Sequence, residues 1–319
     1  MSRRRTRWVA AAVLVAGLIL GYAVACTDWT ARRGAPRGSP GTSPSAGSAS
    51  QPGSAAPSPT ALPSGSESAV PSSGAPTVGP GSSPPGGWWR PKPGLSWQWQ
   101  LSGPLDRSVP ADVYDIDGVE SSAADVAALH AAGRRVICYL NAGAYEDFRP
   151  DRGRFPAAVL GRELDGWPGE RWLDVRRWDV LAPIMTARMR QCRDKGFDAV
   201  EPDNVDAYAN DSGFPLTAAD QLTYNRRLAD LAHSLGLAVG LKNNVEQAAE
   251  LAPVFDFAVN EECASYDECD ALRVFPESGK PVFHTEYDVP TVTFCAAARA
   301  RGFSSIRKRL DLDAWRETC

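Results

Sequence analysis

Histidine is scarce in this chain: His130, His233 and His284 are all that 319 residues contain. No pair of cysteines stands in a CxxC spacing, so the usual ligand set of a structural or catalytic zinc is missing and no metal is expected. Neither GxGxxG nor a P-loop occurs, which argues against a nucleotide, and no other cofactor is indicated. Aromatic residues are absent from Ala31 to Gly87, where 12 Pro, 11 Gly and 14 Ser stand instead. Such a tract cannot bury enough surface to offset its ordering entropy and is expected to stay disordered as a tether. Basic charge is lacking too, once the chain is divided. Residues 1–87 hold seven basic and two acidic side chains, leaving 27 basic and 36 acidic ones in 88–319, a net charge of −9. A nucleic-acid binder normally presents a basic face, so nucleic acid is not an expected partner.

What is present at the front is an address. Met1-Ser-Arg-Arg-Arg-Thr-Arg7 precedes an uncharged run from Trp8 to Ala25, the order of an export signal with its basic end kept in the cytoplasm. Ala23-Val-Ala-Cys26 resembles the bacterial lipobox, with Ala23 where leucine is preferred. Acylation at Cys26, simple cleavage and an uncleaved anchor remain three open outcomes. All export the body, to the cell exterior or the cell surface. The organisation read from composition is therefore 1–26 signal peptide or membrane/lipid anchor, 27–87 disordered linker, and 88–319 folded domain. Membrane contact is expected only through the N-terminal anchor, and the body is expected to be a monomer.

Setting Cys26 aside leaves Cys138, Cys192, Cys263, Cys269, Cys295 and Cys319, an even set for an oxidising compartment. Fifteen pairings exist formally. The favoured set joins Cys263 with Cys269 in a short acidic loop, Cys295 with Cys319 at the C-terminus, and Cys138 with Cys192 between a strand and an outer helix.

In the body, eight short strand-like segments alternate with helical ones: Trp97–Leu101, Val113–Asp117, Arg135–Asn141, Ala199–Asp203, Ala238–Asn243, Phe257–Glu261, Pro281–Tyr287 and Ser304–Arg309. Thr217 with Asp220 reads as a capping box, and Gly133, Gly196, Gly236 and Gly302 each follow a helix as C-cap glycines do. This rhythm requires a parallel sheet, and about 232 residues suit a single (β/α)8 TIM barrel, with two small domains as the alternative.

A barrel of this kind places its site at the C-terminal ends of the strands. Those ends are polar: Asp115 and Asp117; Tyr139 and Asn141; Glu201, Asp203 and Asn204; Lys242 and Asn243; Asn260, Glu261 and Glu262; Glu286 and Tyr287. Carboxylates at the end of five apolar strands are costly unless they serve a site. Two facing carboxylates are the working parts of a glycosidase, one as nucleophile or base and the other as acid. Alternation puts Glu201 and Asp203 on the inward face, Asp203 nearer the rim, and lets only one of Glu261 and Glu262 point inward. A charged Asp203 would favour proton retention on a partly buried Glu261. Trp97 and Trp99 read equally as sugar-stacking residues or core, and Trp167-Pro-Gly-Glu170 with Trp172 as a packed loop. Arg149 and Asp151 are candidates for an ion pair or for the cleft lining.

The same residues resemble glycoside hydrolase family 114, the endo-α-1,4-polygalactosaminidase-like group. The resemblance runs over about 95–310 through Trp97-Gln-Trp99, Val113-Tyr-Asp-Ile-Asp117, Ile137-Cys-Tyr-Leu-Asn141, Gly166-Trp-Pro-Gly-Glu170, Trp172-Leu-Asp174, Glu201-Pro-Asp-Asn-Val-Asp206, Gly240-Leu-Lys-Asn243, Asn260-Glu-Glu-Cys263 and Glu286-Tyr287. It implies a TIM-barrel glycosidase acting on galactosamine-containing polysaccharide, with the catalytic pair on Asp203 and Glu261. Asp115, Asp117, Tyr139, Asn141, Glu201, Asn204, Lys242, Asn243, Glu286 and Tyr287 are the expected substrate-binding set. Glu262 departs from the family pattern, which commonly has Gln there. The alternatives are a non-catalytic carbohydrate-binding surface protein on the same barrel, or a glycosidase for a different α-linked polymer. A partly deacetylated galactosamine polymer is cationic and would suit an acidic cleft.

Overall fold

The structure is a computed structural model and describes residues 87–319. The export segment, Cys26 and the tether (all but Gly87) lie outside the described residues. The first strands are β1 (Trp97–Gln100), β2 (Val113–Asp117) and β3 (Arg135–Asn141), with helix α1 (Ala123–Ala131) between the last two. An inserted antiparallel sheet follows, made of β4 (Ala144–Glu146), β5 (Leu160–Leu164) and β6 (Trp167–Leu173). Helix α2 (Trp178–Lys195) leads to β7 (Ala199–Asp203), and α3 (Ala218–Ser234) to β8 (Ala238–Lys242). A short α4 (Ala248–Leu251), β9 (Phe257–Glu261), α5 (Val274–Glu277), β10 (Val282–Glu286), α6 (Thr291–Ala300), β11 (Ser304–Arg307) and the two-residue β12 (Glu317–Thr318) complete the chain.

Eight strands pair in parallel in the order β1-β2-β3-β7-β8-β9-β10-β11, and β12 adds antiparallel to β11. The result is a curled, mostly parallel sheet of TIM-barrel type. The capping box forms, Thr217 Oγ1 accepting from the Asp220 amide while Asp220 accepts from the Thr217 amide. The four glycines after the helices all take positive φ.

Register separates two cores. Trp97, Val113, Ile137, Ala199, Ala238, Phe257, Val259, Phe283 and Ile306 fill the interior of the curled sheet. Tyr114, Ile116, Val136, Cys138, Val200, Val239, Leu241, Ala258 and Val282 face outward into the helix layer. Trp97 and Trp99 are each 1% exposed, so both belong to the core and not to a stacking surface. Burying side chains of this size contributes roughly 1.5–3 kcal/mol each. The three expected disulfides are formed: Cys138–Cys192, Cys263–Cys269 and Cys295–Cys319.

The wall is completed in an unexpected way. No ladder joins β11 to β1; the chain after β11 turns back and lies along the open edge of β1. Leu101 and Ser102 donate to the Leu312 carbonyl, Gln98 to the Ala314 carbonyl, and Arg316 to the carbonyls of Trp97 and Pro110. β12 then pairs with β11, and Cys319 is bonded to Cys295 on α6. The entry to the domain is tied to the opposite end from the polar strand ends. Trp88 stacks on His233 at 3.7 Å, and Trp88 and Arg90 both donate to Asp256, the residue before β9.

A second correction concerns Trp167-Pro-Gly-Glu170 and Trp172. They are not a loop but β6, the middle strand of the insert. Pro168 and two glycines hide the strand pattern, and only Trp172 and Leu173 are buried on it.

Candidate active site

The ladder between β7 and β8 is two residues long, Ala199↔Ala238 and Val200↔Val239. Beyond it stands Pro202, which has no N–H to donate, and the strands carry Glu201 and Asp203 on one side and Lys242 on the other. Asp203 is held by its backbone: the amides of Ala142 and Gly143 both donate to its carbonyl at 3.0 Å. Gly143 is required there, because a Cβ would lie 1.6 Å from the Asn204 carbonyl oxygen.

Lys242 is the hub. Its Nζ lies 2.9 Å from Asp203 Oδ1, 3.1 Å from Glu261 Oε2 and 3.6 Å from Glu201 Oε1, and 4.8 Å over the Trp99 ring. Burial alone would lower the lysine pKa, but the three carboxylates outweigh it and hold it well above its usual value. Each outer carboxylate has further donors. Tyr139 Oη donates to Asp203 Oδ2 at 2.9 Å. Asn243 Nδ2 donates to Glu261 Oε2 at 3.0 Å, and Tyr287 Oη donates to Glu261 Oε1. Asn243 also fixes the Glu261 backbone, its Oδ1 accepting from the Glu261 amide at 2.9 Å. Asp203 and Glu261 remain 16% and 23% exposed, so solvent and a ligand reach them.

One layer deeper, Asp115 and Glu201 are completely buried. Among the described residues, no donor group lies within hydrogen-bond distance of either carboxylate, and each carboxylate acts on the other's charge. Ionising both would set like charges together in a buried site, which disfavours the second charge. Burial pushes Asp115 up to about 7, and burial with the Asp115 charge carries Glu201 well above its ordinary range.

The remaining expected residues divide. Asn204, in a left-handed conformation with φ 60°, keeps its Nδ2 3.5 Å from Asp203 Oδ2. Asn141 donates to Glu170 Oε2 at 3.3 Å and accepts from the Ala144 amide. Asp117 does not serve the cleft: both oxygens are taken by Arg149, at 3.1 and 2.7 Å, and Oδ1 also by the amides of Val119 and Glu120. Arg149 reaches Glu146 as well, whereas Asp151 pairs with Arg188. Glu286 also turns away. With His284 it lies on the outer face of β10 and accepts from His284 Nε2, the Ala264 amide and Ser265 Oγ, thereby bracing the loop that follows Glu261. Those bonds outweigh burial and hold Glu286 below its ordinary value. Cys263, Cys269 and His284 come within 4.8 Å of one another, but the sulfurs are bonded together and His284 is engaged by Glu286 and Ser305.

The curled parallel sheet carries two reachable carboxylates on one buried lysine at its strand ends, where barrels of this type place their sites. The model of glycoside-hydrolase family GH114 matches residues 81–319. The chain belongs to family GH114. As a GH114 member it is a glycoside hydrolase. It is similar to Ega3 of Aspergillus fumigatus, whose crystal structure is a complex with galactosamine, at 42% identity over 72% of this chain and 97% of that one, with a TM-score of 0.69. The glycoside hydrolase domain of PelA from Pseudomonas aeruginosa has the same fold at 18% identity, covering 70% of this chain and 97% of that one, with a TM-score of 0.54. No curated protein matches this chain.

The candidate site contains further acidic residues, of which Glu170 and Asp206 are not among the strand-end candidates, whereas Glu262 is. Glu170, on β6, stands at the cleft beside Asn141, and burial with the charges of Glu146 and Asp203 pushes it up to about 7. Asp206, in the turn after β7, is pushed up to about 6 by burial and by Asp203. Glu262 takes φ 60° and is raised to about 7 by burial, then by Glu261, Glu286 and Asp288. Glu170 was within the quoted motif, but its strand, and hence its direction, was not readable.

Proposed function

We propose that this chain is an exported, endo-acting glycoside hydrolase that cleaves α-1,4-linked galactosamine-containing polysaccharide, with Asp203 and Glu261 as the catalytic pair. The observation that carries the reading is the shared bond to Lys242. It holds the nearest oxygens of the two carboxylates no more than about 6 Å apart, so that they face one another as a glycosidase pair does. Asp203 then serves as nucleophile or base, and Glu261 as the acid that delivers a proton to the leaving oxygen. Tyr139 and Lys242 orient Asp203, and Tyr287 and Asn243 orient Glu261, so both face the substrate without reorganisation. The cleft has one buried cation among Asp203, Glu261, Glu201 and Asp115, which suits a polymer bearing ammonium groups. Galactosamine as the sugar rests on the likeness to Ega3.

The same reading assigns 1–26 as signal peptide or anchor, 27–87 as spacer and 88–319 as the catalytic domain of an extracellular or surface-tethered monomer. Three disulfides suit an oxidising compartment. Release of oligosaccharides from de-N-acetylated α-1,4-galactosaminan by the full chain is the test. No release, with binding retained, would overturn the catalytic reading for this polymer.

A further inference from the structure

We propose that Glu170 is the residue that distinguishes a free amino sugar from its N-acetylated form, by receiving the substrate's ammonium group at the cleft wall. The proposal rests on the galactosamine reading above and deepens it. It starts from where β6 puts this side chain. Glu170 pairs in register with Glu146 on β4 and turns its Oε2 to Asn141, at the end of β3, 3.3 Å away. Asn141 is in turn registered with Asp203 on β7. Glu170 thus lies on the wall of the cleft that holds the catalytic pair, half-buried and open to a ligand.

Its neighbours leave its charge uncompensated. Glu146 faces it from β4 and is itself spent on Arg149 and Arg188. Arg149 acts on it through its charge, but its guanidinium is committed to Asp117 and Glu146. Asp203 faces it from β7 and is held by Lys242. Asp147 lies against Gly169, and Arg171 turns away to the carbonyls of Leu160 and Gly161. Among the described residues, the one donor hydrogen-bonded to the Glu170 carboxylate is therefore a neutral amide. A carboxylate with no cation, at the wall of a site for an amino sugar, is completed by an ammonium group: the pair forms a charge-assisted hydrogen bond and relieves the repulsion from Glu146 and Asp203. An N-acetyl group offers an amide N–H without charge and leaves that repulsion in place. The carboxyl, pushed up to about 7, must lose its proton to act as this partner, so the preference for the amino form weakens as pH falls through about 7.

The test is binding, independent of turnover. Affinities of α-1,4-galactosamine oligosaccharides and their fully N-acetylated counterparts are measured by calorimetry from pH 5 to 9. Full chains carrying Glu261→Gln, with and without Glu170→Gln or Glu170→Asp, are compared. Loss of one charge-assisted bond corresponds to roughly tenfold in affinity. Glu170→Gln is therefore expected to cut the ratio of amino to acetylated affinity about tenfold and to flatten its dependence on pH near 7. Glu170→Asp is expected to restore part of both. An unchanged ratio, or an equal loss on both ligands, would overturn the proposal. So would failure of the Glu261→Gln chain to prefer the amino oligosaccharide. If the oligosaccharides bind in this pattern while the unmutated chain cleaves neither polymer, the specificity assignment stands and the hydrolytic reading falls.

Discussion

Two buried ion networks lie on either side of β3, and they are built to different rules. Around Arg149 and Arg188, three carboxylates meet two guanidinium groups: Asp117 and Asp151 each receive a bidentate fork, and Glu146 is approached by both arginines. Around Lys242, three carboxylates meet one ammonium group, and Asp115 lies behind them, raised by burial. The first network nearly balances its charges and fastens the insert to the sheet. The second is short of positive charge and stays reachable from solvent. A buried carboxylate without its own cation is expensive, so the deficit is found where a cationic ligand is expected to supply what is missing.

The sharpest way to break this contrast is to remove the proposed catalytic pair. Asp203→Asn and Glu261→Gln are each expected to lower kcat by about a thousandfold or more while the fold persists; full activity in both would reassign the chemistry to other carboxylates. Next come the two hubs. Lys242→Met and Arg188→Met each leave buried carboxylates unpaired and are expected to cost about 3–5 kcal/mol in denaturant titrations. Lys242→Met is also expected to abolish turnover, whereas Arg188→Met should keep kcat within a few-fold. Equal activity losses would mean that the networks are one functional unit.

A smaller effect separates the networks by pH. A carboxyl raised in the fold contributes stability below its unfolded value, near 4, and loses it as pH rises through the folded value. For Asp115 that window ends at about 7. Glu170 and Glu262, also raised to about 7, act in the same direction. Asp115→Asn is therefore expected to flatten part of the decline in stability between about pH 4 and pH 7 relative to the unmutated chain, as read from urea midpoints at successive pH values. Parallel curves would show that Asp115 does not titrate in that window. The smallest effect belongs to a third class of pair, Arg162 with Asp211, exposed by 63% and 74%. Arg162→Ala should leave the midpoint unchanged within scatter, as exposed ion pairs usually do.

The sequence carried the sheet well for a physical reason. Strands buried on both faces read as apolar runs with polar ends, and Val113–Asp117, Arg135–Asn141, Ala199–Asp203 and Phe257–Glu261 appear with those bounds. Thr217 and the post-helix glycines were equally legible because caps act locally. The insert was not, since β5 and β6 are largely exposed and interrupted by Gly166, Pro168 and Gly169, which erases the alternation. At the site, alternation picked the inward residues of β7 and β9, but the same rule places Glu286, two residues from outward His284, on the far side of β10. Asp117 was misread as a cleft residue because its partner Arg149 lies 32 positions away, and no local pattern announces it. Glu170 needed the direction of a strand that was not seen. Closure by the C-terminal segment depends on contacts between Gln98 and Ala314, which pattern reading does not reach.

That closure imposes an order of events. A polypeptide leaves the ribosome, or threads through a membrane, with its N-terminus leading, and β1 is among the first parts of the domain to emerge. The residues that cover its free edge follow β11 and arrive later, and Cys319 fastens them to α6. Until then the edge of β1 stands open beside Trp97 and Trp99, the apolar floor beneath Lys242. Maturation of the cleft therefore waits on the tail, and an oxidant acting on Cys295 and Cys319 locks the finished wall rather than guiding its early assembly.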